Sequence, residues 1–242
     1  MRTVILLATA ASLGLGACGH SNSAEAAGPT IQRDYQVATF DKIEVAGPFD
    51  VTVTTGGKPS VHASGPSNLI DKMEVTVEGG VLKIRPEKRN KMFNWNFGSH
   101  GGAKVAVSVP TLSEAAIAGS GGIMIDKVSG ANFKGEIAGS GDLRLGAVDA
   151  GAVELSIAGS GGVTAAGKAK SVTYEIAGSG DIDAKGLVAE TAEISIAGSG
   201  NVTANATATA DVEIVGSGNV SMTGGAKCTI DKHGSGDVTC GT

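Results

Sequence analysis

The sequence predicts an all-β chain wound as a parallel β-helix, a solenoid with about 18–20 residues per coil. Three observations carry that expectation. Gly-Ser-Gly occurs seven times, opening at Gly119, Gly139, Gly159, Gly178, Gly198, Gly216 and Gly234, in steps of 20, 20, 19, 20, 18 and 18 residues. Self-similarity at such a period marks one small unit stacked on copies of itself. Around each triplet the residues alternate apolar and polar, which sends successive side chains to opposite faces of a strand. Glycine accounts for 38 of the 242 residues and aromatics for only 3%, so the core must be aliphatic and the turns tight.

From the N-terminus, Met1 and Arg2 precede an apolar run from Val4 to Leu15, then Gly16, Ala17 and Cys18. That run is too short to cross about 30 Å of hydrocarbon, but it fits the apolar region of a secretory signal. The tetrad Leu15-Gly16-Ala17-Cys18 resembles a bacterial lipobox. The resemblance implies that residues 1–17 are a lipoprotein signal peptide and that the Cys18 thiol carries a lipid, anchoring the chain to a membrane. Gly19, where an Asp would resemble an inner-membrane retention signal, favours the outer membrane. Loss of residues 1–17 leaves 18 basic against 24 acidic residues, a net charge of −6. Nucleic acid is excluded as a partner, because its binding needs a dense basic surface.

Residues 18–34 are small and polar without an apolar period, which reads as a flexible tether. A single domain follows over 35–242. Its first part holds short runs with period two at 42–45, 50–53, 73–77, 81–84 and 105–109, punctuated by Gly47-Pro48, Gly56-Gly57 and Gly79-Gly80. Those are strands and tight turns. Between them lies EKRNKMFNWNFGSHGG, residues 87–102, with Phe93, Trp95 and Phe97 at alternate positions. This aromatic stripe has two readings: a cap packed on the N-terminal end of the solenoid, or a site for a glycan, a membrane or an envelope protein.

The regular coils run from about 112 to 242. Counting from the first glycine of each triplet, the minus-two column reads Ile117, Ile137, Ile157, Ile176, Ile196 and Ile214, ending in Lys232. The plus-four column reads Ile123, Leu143, Val163, Ile182, Val202, Val220 and Val238. Minus three is polar or small: Ala116, Glu136, Ser156, Glu175, Ser195, Glu213 and Asp231. Each coil is therefore expected as strand, glycine corner, strand and loop. A coil alone cannot offset the entropy of ordering it, whereas stacking closes the core. Lys232 and His233 break the pattern in the last repeat, as a solenoid end requires. Cys228 and Cys240 lie six residues either side of its glycine, on expected inward columns. In an exported protein such a pair commonly forms a disulfide; two reduced buried thiols are the alternative.

Corner residues Asp142, Asp181 and Asp237 invite a calcium reading, but calcium-binding β-rolls have a nonapeptide period, and Asp142 and Asp181 stand two coils, about 10 Å, apart. The glutamate column of Glu136, Glu175 and Glu213, offset with Glu154 and Glu193, invites comparison with polysaccharide-cleaving carboxylate pairs. Few basic residues, no histidine and no cleft-building insertion accompany it, so it reads as a solvated face. His20, His62, His100 and His233 show no metal-ligand spacing, and the Gly-Ser-Gly serine lacks the strand–turn–helix setting of a nucleophile. No catalytic residue, metal or cofactor is expected.

The opening Phe40-Asp41-Lys42-Ile43-Glu44-Val45, then Gly47-Pro48-Phe49-Asp50-Val51-Thr52-Val53, Gly80-Val81-Leu82-Lys83-Ile84 and the Gly-Ser-Gly-Asp corners resemble the head GIN domain family of autotransporter-adhesin type over about residues 40–240. The resemblance implies a right-handed parallel β-helix in an exported, often lipid-anchored bacterial protein. It implies no catalytic residue, and no run of the sequence reads as an autotransporter barrel. The expected function is a non-enzymatic envelope lipoprotein with a rigid binding surface, adhesin-like in role. A periplasm-facing structural or envelope-assembly protein is the alternative, and a polysaccharide-acting β-helix enzyme the next.

Overall fold

A computed structural model describes residues 28–87 and 102–241. It is 76% strand and 2% helix, a β-solenoid of about six turns. The first part holds β1 (Thr30–Tyr35), β2 (Lys42–Ala46), β3 (Asp50–Thr55), β4 (Ser60–Pro66), the short α1 (Ser67–Ile70), β5 (Met73–Glu78), β6 (Val81–Pro86) and β7 (Lys104–Val109). The coils follow as β8 (Glu114–Gly119), β9 (Gly122–Gly139), β10 (Asp142–Gly159), β11 (Gly162–Gly178), β12 (Asp181–Gly198), β13 (Asn201–Gly216), β14 (Asn219–Thr223), β15 (Lys227–Gly234) and β16 (Val238–Cys240).

From β8 onward every pairing is parallel and in repeat register, so Ile117, Ile137, Ile157, Ile176, Ile196 and Ile214 stack as one column. All six are buried, as are the six plus-four residues from Ile123 to Val220. Among the described residues no polar or charged residue is buried. Tyr174 is the largest core side chain, and its hydroxyl is buried without a partner; burial pushes that hydroxyl well above the usual phenol range.

The first coil is assembled out of chain order. β2 lies between β6 and β8, and β3 lies between β7 and β9, all parallel. Beyond them the ladder turns antiparallel, with β5 on β6, β4 on β7 and β1 on β4. The N-terminal end is thus covered by short antiparallel strands, which limits its exposed edge.

The structure departs from two expectations. Residues 30–34, assigned to the tether, belong to β1. Its alternation of Ile31, Arg33 and Tyr35 is too polar to announce a strand. The strand is held by its ladder on β4 and by Arg33, whose guanidinium donates to the Ile70 carbonyl and pairs with Asp71. The expected loop of each coil is also strand: β10 runs unbroken from Asp142 to Gly159, and only a register shift between Leu145 and Val148 marks the bend against β11. Neighbouring coils bend together, so the ladder continues through the turn. The end coil is exposed, as its broken pattern at Lys232 and His233 led one to expect. Ile230 is 47% exposed, and Cys228 and Cys240 are only half-buried, because no further coil among the described residues covers them.

Candidate functional site

The strand run before each corner turns its odd side chains outward, and parallel register lines them up along the solenoid axis. The row next to the corner reads Ala46, Ala118, Ala138, Ala158, Ala177, Ala197 and Val215. The next row outward reads Glu44, Ala116, Glu136, Ser156, Glu175, Ser195 and Glu213. Beyond it stand Lys42, Glu114, Lys134, Glu154, Thr173, Glu193 and Asp211. The first two rows from Glu44 as far as Ser195 and Ala197, with Glu114 of the third, line a shallow groove of about 720 Å³, floored by methyl groups and flanked by Glu44, Glu114, Glu136 and Glu175.

Charge on this face is graded along the axis. Near the N-terminal end opposite charges alternate across strands and pair: Lys42 Nζ lies 2.7 Å from Glu114, and Lys134 Nζ lies 2.7 Å from Glu136 and 3.2 Å from Glu154. The Glu136 carboxylate, then that of Glu154, holds the Lys134 ammonium well above the usual lysine range. Toward the C-terminal end no further lysine or arginine among the described residues stands in these rows, and His233 closes the first of them, 3.4 Å from Asp231. Among the described residues Glu175, Glu193 and Glu213 have no ion-pair partner.

The face after the corner is bonded to itself. Asn201 Nδ2 donates to Asp181 Oδ1 at 2.8 Å, Asn219 Nδ2 donates to Asn201 Oδ1 at 2.9 Å, and the Asp237 backbone N–H donates to Asn219 Oδ1 at 3.0 Å. Beside this ladder Thr203 Oγ1 donates to Asp183 Oδ1 at 2.8 Å, which holds that carboxyl below its ordinary value. Among the described residues no cluster of His, Cys, Asp or Glu is placed to hold a metal ion.

The structure separates the residues singled out from the sequence. Glu136, Glu175 and Glu213 share one row at two-coil intervals, with Glu154 and Glu193 in the row beyond. Cys228 and Cys240 are joined as a disulfide across the end coil, with Cα atoms 6.6 Å apart. Cys18, Phe93, Trp95 and Phe97 lie outside the described residues. Two features of the face escaped sequence reading. The alanine row is one, although position minus one is Ala in five successive repeats. The other is the lysines: basic residues looked scarce beside the glutamate column, yet Lys42 and Lys134 reach it from position minus five. Tabulating every outward column would have found both.

A family model described as "Putative auto-transporter adhesin, head GIN domain" matches residues 39–226. Among solved structures, a "putative adhesin" from Bacteroides fragilis NCTC 9343 is 25% identical with a TM-score of 0.76, covering 87% of this chain and 96% of that one. A "putative lipid binding protein" from Parabacteroides distasonis ATCC 8503 is 28% identical with a TM-score of 0.73, covering 89% and 98%. A "putative adhesin" from Parabacteroides merdae ATCC 43184, at 19% identity and TM-score 0.67 over 88% and 97%, shares the fold. No curated protein matches the sequence.

Proposed function

Because the chain belongs to the family described as "Putative auto-transporter adhesin, head GIN domain", we propose that it is an exported, non-enzymatic attachment protein whose acidic, alanine-lined face is the binding surface. The observation that carries this reading is the groove itself: a continuous row of exposed methyls beside a row of carboxylates, held flat by a ladder that spans every coil. A row of alanines costs little entropy to cover and leaves room for a partner to lie along it.

An enzyme reading has less support. Glu136 and Glu154 are bridged by one ammonium, and among the described residues no histidine, lysine or arginine pairs with Glu175. The lipid-binding description of the Parabacteroides distasonis protein finds no counterpart in the groove, whose charged lining residues among the described ones are Glu44, Glu114, Glu136 and Glu175, which would repel anionic headgroups. Membrane attachment is assigned instead to a lipid on Cys18, in the outer membrane, with the solenoid facing outward.

Protease treatment of intact and lysed cells tests this arrangement. Digestion of the solenoid on intact cells is the expected outcome, and replacement of Cys18 by Ser should release the protein from the membrane fraction. Protection until lysis would overturn the attachment role and point to a periplasmic structural one.

A further inference from the structure

The glutamates of the groove and of the row that continues past it to Glu213 recur with a spacing that selects a partner. Glu44, Glu136, Glu175 and Glu213 occupy one row, and Ala116, Ser156 and Ser195 fill the coils between them. Strands in a ladder stand about 4.8 Å apart, so the carboxylates repeat every ~9.6 Å and the four of them span about 29 Å. The partner must present cations at that interval along a line.

Common polypeptide conformations differ sharply in this respect. An extended strand returns a side chain to the same face every two residues, about 6.6 Å, and cannot match. An α-helix returns after two turns, about 10.8 Å, and slips by more than 3 Å across three intervals. Polyproline II has three residues per turn and a rise of about 3.1 Å, so every third side chain recurs at ~9.3 Å. Over the same three intervals it drifts by only about 1 Å, which a flexible lysine stem absorbs. We infer that the groove binds a cationic polypeptide in the polyproline II conformation, lying along the solenoid axis with Lys or Arg at every third position.

Other features of the groove suit that occupant. Polyproline II has no internal hydrogen bonds, so its carbonyls can accept from the Ser156 and Ser195 hydroxyls that alternate with the glutamates. The Ala138, Ala158, Ala177 and Ala197 methyls form a low ledge against which pyrrolidine rings can lie. Because Lys134 already bonds Glu136, Glu44, Glu175 and Glu213, which have no ion-pair partner among the described residues and together span the same three intervals, must carry most of the charge recognition. The inference rests on the groove being the binding surface proposed above.

The probe is the labelled peptide (Pro-Pro-Lys)4, measured by fluorescence anisotropy against the whole mature protein at low salt. Its isomer with the four lysines in one block and the peptide (Pro-Pro-Glu)4 serve as controls. The spaced peptide should bind at least about tenfold more tightly than its block isomer. Glu175→Gln with Glu213→Gln should lower its affinity by about tenfold or more, while Asp142→Asn with Asp183→Asn, on the other face, should not. Equal affinity for the two isomers, an equal loss in both variants, or no binding would overturn the inference. Protease accessibility on intact cells separates the two levels. An accessible solenoid that ignores spacing refutes the peptide and leaves the attachment role standing, whereas a protected solenoid refutes the attachment role whatever the peptide does.

Discussion

At the corner, two constraints meet on the same residue. Gly159 has φ +136°, and a methyl there would run into the Gly139 carbonyl oxygen of the coil beneath. Gly130 has a similar φ of +143° but open space around it. The pair separates backbone strain from stacking. Gly130→Ala should cost about 1–2 kcal/mol, from strain alone, and Gly159→Ala about 2–4 kcal/mol, from strain plus overpacking; urea unfolding of the two variants checks the ranking. In the core below, Ile157→Ala removes a fully stacked side chain and should cost about 2–5 kcal/mol. The titrating residue whose setting predicts a pH effect is Asp183. The Thr203 hydroxyl holds it below its ordinary 3.8, so the folded state loses protons more readily than the unfolded one. The stability this adds is present above 3.8 and is lost as pH falls through the lowered value. Thr203→Val should move the Asp183 carboxyl back up, read by NMR titration, and flatten the acid limb of the stability curve.

Elements divide into those written in their own residues and those imposed by neighbours. The coil strands belong to the first kind: a repeat of about twenty residues with inward Ile and Val at fixed offsets dictates both face and register, because a one-residue slip would invert every side chain. The glutamate column was legible for the same reason. β1 belongs to the second kind, since its residues carry a weak pattern and its partner β4 is set by a ladder running through β7. The intercalation of β2–β3 between β6–β7 and β8–β9 is likewise invisible in sequence, where nothing ranks one parallel neighbour above another. The end coil shows the limit of a pattern argument. Its columns place Cys228 and Cys240 inward, and both pack half-buried against the core, but full burial would take a further coil. Cys228→Ser with Cys240→Ser should therefore act locally. The bridge closes a short loop worth about 2–3 kcal/mol, and its loss should speed hydrogen exchange in β15 and β16 while leaving β10 unchanged. Mass spectrometry of the unreduced protein should show Cys228 and Cys240 in one linked peptide.

For the molecule as a whole, nearest-neighbour stacking makes each coil a removable unit. Deleting residues 160–178 joins Gly159 to Ser179 in the register that the β10–β11 and β11–β12 pairings already share. The shortened chain should fold, with its long dimension reduced by about 4.8 Å in solution scattering, while deletion of a half coil should not.

The strands lie across the long axis, and that sets how the molecule responds to pulling. Load applied between its two ends does not shear a ladder of hydrogen bonds all at once; it opens them a few at a time, like a zipper. Each coil that lets go releases about 20 residues, or roughly 70 Å of slack at full extension. The expected force trace is a low, evenly spaced sawtooth. A protein tethered at its N-terminus and gripped along its flank would then yield coil by coil, spreading a sudden tug over time so that the grip itself is not the first thing to fail.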